Sequence, residues 1–251
     1  MTGQMQLTAL TTLPMVKPED DLAVLIAASA HQEGFTFSDG DIVCVAQKIV
    51  SKAEGRQVSL EGIKPSDQAI ALAQETDKDP RLVQLVLDES TEVMRKKPGV
   101  LIVRHRLGFA GIDQSNIEHG SEHDNALLLP VDPDRSAETM RQALLKLTGK
   151  RLGVIITDSH NRPWRLGTVG TAIGSAGISV LEDHRGGHDL FGRELKVTLI
   201  NRADAIAGAA TLLMGETIEK IPVVLVHGFK PDPVGDNAAM INRPLADDMF
   251  R

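Results

Sequence analysis

The chain is poor in aromatic residues and in cysteine. Only 3% of its 251 residues are aromatic, with one tryptophan and no tyrosine. Proteins that bind single-stranded nucleic acid usually need aromatic rings on which bases stack, so this class of function is disfavoured. The only cysteine, Cys44, lies in an apolar run and is expected to be a buried, inert thiol. No disulfide framework is therefore possible within one chain.

The sequence also lacks an excess of basic charge and long apolar runs. A net charge of −7 and a pI near 5.6 argue against a nucleic-acid binder, which usually presents a basic face. No apolar stretch reaches the roughly 20 residues that cross a membrane, and no charged-then-apolar signal opens the chain. A cytoplasmic location is therefore the default expectation, and neither nucleic acid nor a membrane is expected as a partner.

Hydrophobic patterns predict alternating strands and helices. Strands are predicted at 5–10, 41–50, 99–104, 152–157, 178–182, 195–200 and 221–226, and helices at 17–34, 65–76, 80–96, 136–147 and 203–214. Polar residues 117–127 are predicted to form a surface loop. The alternation favours a mixed α/β (α+β) fold, and no linker is visible, so two parts would have to share interleaved segments.

Common phosphate-binding, hydrolase and zinc motifs are absent. Gly149-Lys150-Arg151 lacks the upstream glycine and the hydroxyl of a phosphate-binding loop. The glycines of 166–177 do not match a dinucleotide fingerprint and indicate tight turns or close backbone packing. No nucleophile elbow or paired cysteines occur. Two histidine pairs with four-residue spacing favour exposed loops over zinc: His119 with His123, and His184 with His188.

The most informative stretch is residues 154–167. An apolar β-branched run ends at Thr157-Asp158-Ser159, and the loop that follows holds Arg162 and Arg165. A carboxylate and a hydroxyl at the end of a buried strand, beside fixed positive charge, suit a hard cation bound together with phosphate. The alternative is a turn in which Asp158 and Ser159 bond to backbone and the arginines are solvated.

Further oxygen-bearing and basic residues lie near predicted strand or helix ends. Asp113 and Glu216 join Asp158 and Ser159 as candidate ligands; each alone fits a cap or turn, whereas together they fit Mg²⁺ or Mn²⁺. The basic candidates are Lys48, Lys52, Arg162 and Arg165. A solvated surface is their default, but Lys52 follows a strong predicted strand and a serine, where it could contact phosphate.

Seven short motifs, in their order along the chain, resemble the coenzyme F(420)-0 γ-glutamyl ligase family. They are Leu13-Pro14-Met15-Val16, Val50-Ser51-Lys52-Ala53-Glu54-Gly55-Arg56, Ala110-Gly111-Ile112-Asp113-Gln114-Ser115-Asn116, Ile156-Thr157-Asp158-Ser159, Arg162-Pro163-Trp164-Arg165, Asp189-Leu190-Phe191-Gly192-Arg193-Glu194-Leu195 and Leu213-Met214-Gly215-Glu216. Each motif is weak alone, but the ordered set is specific and runs from about Leu13 to about Gly228.

The resemblance implies a GTP-dependent ligase that adds L-glutamate to the deazaflavin precursor F(420)-0 and extends it through a γ-linkage. It implies Mg²⁺ or Mn²⁺, with two divalent ions expected and K⁺ as an additional ion. It also implies an unusual two-part α/β architecture with interleaved segments and an intertwined homodimer. The chain is expected to form a single ligase unit, residues 1–251, without the C-terminal flavin domain of some relatives.

The resemblance also assigns residues to roles. The metal ligands would be Asp113, Asp158, Ser159 and Glu216. The nucleotide contacts would be Leu13, Pro14, Met15, Val16, Gln47, Lys48, Lys52, Asn116 and the segment from Met214 through Gly215 and Glu216 to Ile221. Lys52 would neutralise phosphate charge, and Arg162 and Arg165 would hold substrate carboxylates or phosphate in a forked grip.

Two of these motifs depart from the family's usual pattern. Phe109 stands where the family usually has asparagine before Ala-Gly-Ile-Asp. Ser159, His160 and Asn161 replace Thr-Phe-Gly. Serine keeps a hydroxyl ligand, so metal binding is expected to survive, whereas His160 and Asn161 are expected to alter the acceptor side.

The chemistry of amide formation gives a leading mechanism and leaves two alternatives. A carboxylate is a poor electrophile, so attack of its oxygen on the γ-phosphate of GTP would form an acyl phosphate that the amine of glutamate displaces. A metal-dependent hydrolase of phosphate or amide bonds could use the same carboxylates. A carrier of deazaflavin or nucleotide, without catalysis, is the third hypothesis.

Overall fold

The computed structural model describes residues 3–112, 116–118, 125–162, 164–233 and 235–248, and for 110–112 and 116–118 it describes the backbone alone. The strands are β1 (Gln6–Ala9), β2 (Ile42–Ala46), β3 (Gln57–Ser59), β4 (Ser90–Lys97), β5 (Val100–His105), β6 (Ala110–Ile112), β7 (Asn116–Glu118), β8 (Asn125–Leu127), β9 (Gly153–His160), β10 (Val169–Ala176), β11 (Leu181–Asp183), β12 (Leu199–Asn201) and β13 (Val223–His227). The α-helices are α1 (Leu22–Gln32), α2 (Gln47–Ala53), α3 (Asp67–Thr76), α4 (Pro80–Asp88), α5 (Pro133–Thr148) and α6 (Arg202–Met214), and short 3₁₀ turns follow at Ala238–Ile241 and Leu245–Asp247. The fold is therefore mixed α/β.

A five-stranded sheet forms the centre of the fold, in the order β1-β13-β2-β9-β10. β2 and β9 are parallel, with Cys44 opposite Ile155, and the other neighbours are antiparallel. Parallel neighbours need a long crossover, and residues 47–152 supply it. The carboxyl ends of β2 and β9 consequently meet at one edge of the sheet.

Apolar residues cover both faces of the central sheet. Alternate positions such as Val43 and Val154 pack against α1 and α5, whereas Cys44 and Ile155 pack against α6. Central strands that are buried on both faces are expected to read as continuous apolar runs, which is what the sequence of β2, β9 and β13 shows. Cys44 is fully buried and burial raises the pKa of its thiol to about 12, which confirms the predicted inert thiol.

Two three-stranded sheets, β4-β5-β6 and β3-β8-β7, come from the segment between α2 and α5. Helix α4 packs Val83 and Val86 against the sheet β4-β5-β6, and Leu82 and Leu85 against the sheet β3-β8-β7. The division of the chain into two interleaved subdomains stays a prediction. None of the helices in the described ranges combines the length and apolar content needed to cross a membrane, and the cellular location stays a prediction.

The predicted strand at 41–50 is wrong in its second half. β2 ends at Ala46, and residues 47–53 form α2, so Lys52 lies in the last turn of a helix and not in a loop. Ile49 and Val50 are buried against the α1 side of the sheet. Tertiary packing therefore overrides the strand preference of these two β-branched residues.

Two other predicted segments are wrong. The helix predicted at 80–96 ends at Asp88, and residues 90–97 form β4, which pairs with β5 in register Val93 to Val103. The glycine-rich residues predicted as turns contain β10, which pairs along β9. The close packing expected of these glycines is confirmed at Gly170, where an added Cβ would lie 2.6 Å from the carbonyl oxygen of Ala207 in α6.

Smaller differences concern element boundaries. Asp21 caps α1 from outside, so the acids of 19–21 precede the helix and do not fill its first turn. The predicted loop at 117–127 contains part of β7 and all of β8. α5 ends at Gly149 as predicted, with a φ of 69° that suits glycine.

Candidate functional site

The candidate site lies at the edge of the central sheet where β2 and β9 end. β13 runs antiparallel to β2 and β1 antiparallel to β13, so the start of β13 and the end of β1 reach the same edge. Hydrogen bonds fix this junction, since Ala46 N donates to Pro222 O at 2.8 Å and Leu10 N donates to Val223 O at 3.0 Å. The topology thus gathers α2, the segment after β1, the segment before β13 and the end of β9.

β9 continues three residues beyond its predicted end, through Asp158 and Ser159 to His160. Asp158 pairs with Thr171 of β10 and Ser159 pairs with Gly170. Residues two apart in a strand share a face, so Asp158 and His160 lie on the same side of the sheet. The alternative of a turn at Asp158 is wrong, because this residue is held in a regular ladder.

The Asp158 carboxylate is mostly buried, with 21% of its side chain exposed. Burial raises its pKa, and the nearby charge of Glu216 raises it further. His160, the backbone N–H of Ser159 and Lys48 act in the opposite direction. The Ser159 N–H donates to Asp158 Oδ1 at 2.9 Å. The structure therefore brings Asp158, Glu216 and Lys48 close enough for their charges to interact.

The arrangement of Asp158 with Glu216 suits a cation, although the described residues do not complete a metal site. Two nearby carboxylates, one of them desolvated, are both favoured in the charged form when a cation lies between them. In the part of the chain that the structure describes, no three His, Cys, Asp or Glu side chains come together as a metal site. The predicted ligand Asp113 lies outside the described residues.

The Ser159 side chain lies on a different face of the sheet from the Asp158 carboxylate. Consecutive strand residues point to opposite faces, so the Ser159 hydroxyl points to the face opposite the Asp158 carboxylate. Its cross-strand partner Gly170 lies against α6. A ligand role for the Ser159 hydroxyl stays a prediction, and strand alternation does not support it.

The basic residues of α2 lie next to the end of β2. Lys48 is exposed, whereas the Gln47 side chain is buried and accepts a hydrogen bond from the Ser51 hydroxyl at 3.0 Å. Lys52 is half-buried one turn further along the helix. The predicted nucleotide contacts at Gln47, Lys48 and Lys52 therefore come from a helix that starts directly at the sheet edge.

The segment after β1 reaches this edge in an extended form. Thr11 and Thr12 donate backbone hydrogen bonds to one oxygen of Glu33, at 2.7 and 2.8 Å, which holds the segment against the end of α1. Beyond them Met15 is 71% exposed and Val16 is buried, and Leu13 packs against the core. The predicted contacts of residues 13–16 thus lie on an exposed segment with fixed ends.

The segment between α6 and β13 forms a compact loop. Met214 is buried, Gly215 ends the helix with a φ of 69°, and Glu216 is exposed. Glu219 accepts hydrogen bonds from the backbone and the hydroxyl of Thr217 at 2.8 and 3.0 Å. The backbone of this predicted nucleotide segment is therefore fixed by its own side chains.

The predicted arginines lie in the exposed loop between β9 and β10. Arg162 donates to the carbonyl oxygen of Gly167 at 3.1 Å, and Arg165 is exposed. Trp164 has a φ of 59° and an 82% exposed side chain. Asn116 lies in β7, where the structure describes the backbone alone. The roles of these residues stay predictions.

His160 is a site residue for which the sequence predicted only an effect on the acceptor side. Its ring contacts Phe109, with centroids 5.2 Å apart, and its Nδ1 is hydrogen-bonded to the Thr171 hydroxyl. Two of the positions that depart from the family's usual pattern, Phe109 and His160, are thus in contact. The spacing of Asp158 and His160 could have revealed the shared face, had the strand been extended to residue 160.

The chain is similar to known coenzyme F420:L-glutamate ligases along most of its length. A family model described as F420-0:Gamma-glutamyl ligase matches residues 11–228. The chain is 46% identical to the coenzyme F420:L-glutamate ligase of Methanopyrus kandleri over 86% of this chain and 84% of that protein. It is 42% identical to the protein of the same name from Methanothermobacter thermautotrophicus, over 95% and 96%. The Archaeoglobus fulgidus protein of that name is 47% identical, over 86% and 85%.

Proposed function

The chain belongs to the F420-0:gamma-glutamyl ligase family, and from that premise we propose that it joins L-glutamate to F(420)-0 in coenzyme F(420) biosynthesis. The family match carries this proposal, because its range of 11–228 includes every described segment that reaches the sheet edge. The proposal extends to GTP as the energy source and to further glutamate added by γ-linkage.

The proposed reaction has two steps. A carboxylate oxygen of the acceptor attacks the γ-phosphorus of GTP, and the bond to the bridging oxygen of GDP breaks. The glutamate amine then attacks the acyl carbon, phosphate leaves with the former carboxylate oxygen, and the amine loses a proton. Positioning of the three reactants and stabilisation of phosphate charge are the main contributions that a protein makes to such a transfer.

The carboxylates at the edge of the sheet support a divalent-ion site. We assign Mg²⁺ or Mn²⁺ to Asp158 and Glu216, with Asp113 as a further ligand of the proposal and K⁺ as an additional ion. Support comes from the buried Asp158, whose charged form is disfavoured by desolvation and by Glu216. When bound, the ion would supply positive charge that offsets the negative charge of phosphate.

Basic side chains around the carboxylates complete the proposed phosphate site. Lys48 lies near enough to Asp158 to lower its pKa, and Lys52 follows one turn later on α2. In the proposal both lysines offset phosphate charge. Arg162 and Arg165, on the loop after β9, hold substrate carboxylates or phosphate through paired N–H groups.

The nucleotide is proposed to lie between the two loops that flank β1 and β13. Residues 13–16 and 214–221 flank these adjacent strands at the same edge, and Gln47, Lys48 and Asn116 are the further contacts. Backbone hydrogen bonds to Glu33 and Glu219 hold the two loops in place. Fixed backbone groups suit recognition of a base and ribose, because little ordering is needed on binding.

A homodimer is part of the proposal because one hairpin exposes apolar side chains. β11 and β12 pair at the base of a hairpin, residues 181–201, whose tip exposes 93% of Leu190 and 88% of Phe191. Exposed apolar groups of this size mark interaction surfaces. A second copy of the chain offers matching apolar groups in Trp164 and Ile218, which are 82% and 87% exposed.

Light scattering tests the homodimer. The double variant Leu190→Asp with Phe191→Asp should elute and scatter as a monomer, whereas the control Ile70→Asp, on α3, should stay dimeric. A monomeric wild-type protein, or a double variant that keeps the dimer mass, would contradict this part of the proposal.

Mass spectrometry tests the proposed reaction. Incubation with F(420)-0, GTP, L-glutamate and Mn²⁺ should yield acceptor with added glutamyl units, and omission of GTP should abolish the product. Release of phosphate from GTP without a glutamate-dependent product would favour a hydrolase. Tight binding without turnover under any divalent metal would favour a carrier.

A further inference from the structure

His160 holds a buried nitrogen without a partner. Among the described residues, Nε2 of His160 is the one buried side-chain nitrogen or oxygen that lacks a hydrogen bond. It lies 3.8 Å from Oδ2 of Asp158, just beyond hydrogen-bond distance. Buried polar groups are nearly always paired, so an unpaired one next to a candidate ligand calls for an explanation.

The imidazole is held from two other sides. Its Nδ1 shares a hydrogen bond with the Thr171 hydroxyl, and Thr171 is the direct cross-strand partner of Asp158. Its ring lies against Phe109, which in turn stacks on the buried His105 with centroids 5.5 Å apart. Because two contacts already fix the ring, a small movement of the Asp158 carboxylate is sufficient to reach Nε2.

Phe109 connects this contact to the next segment of the chain. It follows the turn after β5, where His105 N donates to Phe109 O at 2.9 Å, and it immediately precedes β6. The proposed ligand Asp113 comes directly after β6 in the sequence. The contact between Phe109 and His160 therefore links the two chain segments that carry Asp113 and Asp158.

We propose that His160 is a positioning residue: its Nε2–H donates to Oδ2 of Asp158 when a divalent cation occupies the site, and so fixes the orientation of that carboxylate. In this tautomer Nδ1 accepts the hydrogen bond from the Thr171 hydroxyl. Partners that hydrogen-bond to a ligating carboxylate orient it and tune metal affinity. The inference rests on the divalent-ion site proposed above.

Binding of Mn²⁺ alone, followed by electron paramagnetic resonance of the free ion, tests this role without turnover. His160→Phe keeps a ring against Phe109 and removes both nitrogens, and should weaken Mn²⁺ binding by about 10-fold or more, within the range seen when such partners are removed. In assays of the same variant, the Mn²⁺ concentration for half-maximal activity should rise with an unchanged KM for glutamate.

Two amide variants separate positioning from a purely structural role. In His160→Gln the amide nitrogen reaches the place of Nε2, so Mn²⁺ affinity should return to within about 3-fold of the wild type. In His160→Asn the amide nitrogen reaches only the place of Nδ1, so affinity should stay low. His31→Gln, an exposed histidine on α1, is the matched control and should bind Mn²⁺ normally.

The outcomes distinguish this inference from the proposed function. Wild-type protein that binds no Mn²⁺ and yields no glutamyl product would refute the divalent-ion site itself. Wild-type binding with unchanged affinity in His160→Phe, or with His160→Gln no tighter than His160→Asn, would refute the positioning role alone. If His160→Phe fails to fold, as judged by circular dichroism, the Mn²⁺ affinities of the two amide variants still test the positioning role.

Discussion

Substitution of Asp158 by asparagine should stabilise the ion-free protein while it destroys activity. The carboxylate is mostly buried, and burial and Glu216 both raise its pKa, so its charge at neutral pH opposes folding. Asparagine keeps the shape and can still accept the hydrogen bond from the Ser159 N–H. Removal of this buried negative charge is expected to add about 0.5–2 kcal/mol to the free energy of unfolding.

This gain should appear as a higher melting temperature. For a chain of this size each kcal/mol shifts Tm by about 2–4 °C, so Asp158→Asn should melt about 1–8 °C above the wild type in chelator at pH 7. The advantage should shrink as the pH falls through the raised pKa of the folded state, and it should vanish below the ordinary aspartate pKa of 3.8, where both states are protonated.

Addition of Mn²⁺ should reverse the order of stability. At about 100 times its dissociation constant a ligand stabilises the state that binds it by roughly 2.7 kcal/mol, so the wild type should rise by about 5–11 °C and Asp158→Asn should hardly change. Turnover of the variant should fall by at least ~10²-fold, the scale for loss of a major electrostatic group. A variant that is less stable than the wild type in chelator, or that gains equally from Mn²⁺, would refute the reasoning.

Three further predictions follow from burial and packing. Gly170→Ala should lose about 1–3 kcal/mol of unfolding free energy in urea titrations, because its Cβ would press on Ala207 O, and an unchanged midpoint would contradict the packing. Cys44, fully buried with a pKa of about 12, should react with a thiol reagent only as fast as the protein unfolds, and rapid labelling of folded protein would oppose this. Burial lowers the pKa of His105 from 6.5 to about 4, so protonation favours the unfolded state: stability should fall as the pH drops from about 6.5 to 4. Urea titrations across this range should show a weaker decline in His105→Asn, and equal declines would contradict the assignment.

Several elements could be predicted because their signals are local. α5 has an amphipathic face and ends before Gly149, and α6 ends at Met214, as their patterns predicted. The continuous apolar runs of β2 and β9 reflect burial on both faces, which needs no knowledge of the neighbours. The sequence also placed Asp158 at the end of a buried strand, next to the residues that now form the candidate site.

The errors concern segments whose structure depends on a partner. Residues 90–97 carry charges at several positions and continue the amphipathic pattern of α4. They nevertheless form a strand, because β5 supplies the hydrogen-bond partners of their backbone. Residues 47–50 look like more strand, but β13 begins opposite Val45, so pairing on that side of β2 ends there. The glycines of 166–177 left tight turns and close packing open, and at Gly170 the neighbouring helix α6 decides for close packing.

Local patterning determined the alternation of strands and helices, the buried thiol and the residue types available for catalysis, because these depend on the period of apolar residues and on short motifs. Tertiary structure decided that Asp158, Glu216 and Lys48 interact and that His160 lies between Thr171, Phe109 and Asp158. Most of these contacts join positions far apart in the chain. They arise from strand order and register, which are set by pairing across the sheet and are not specified by any local pattern.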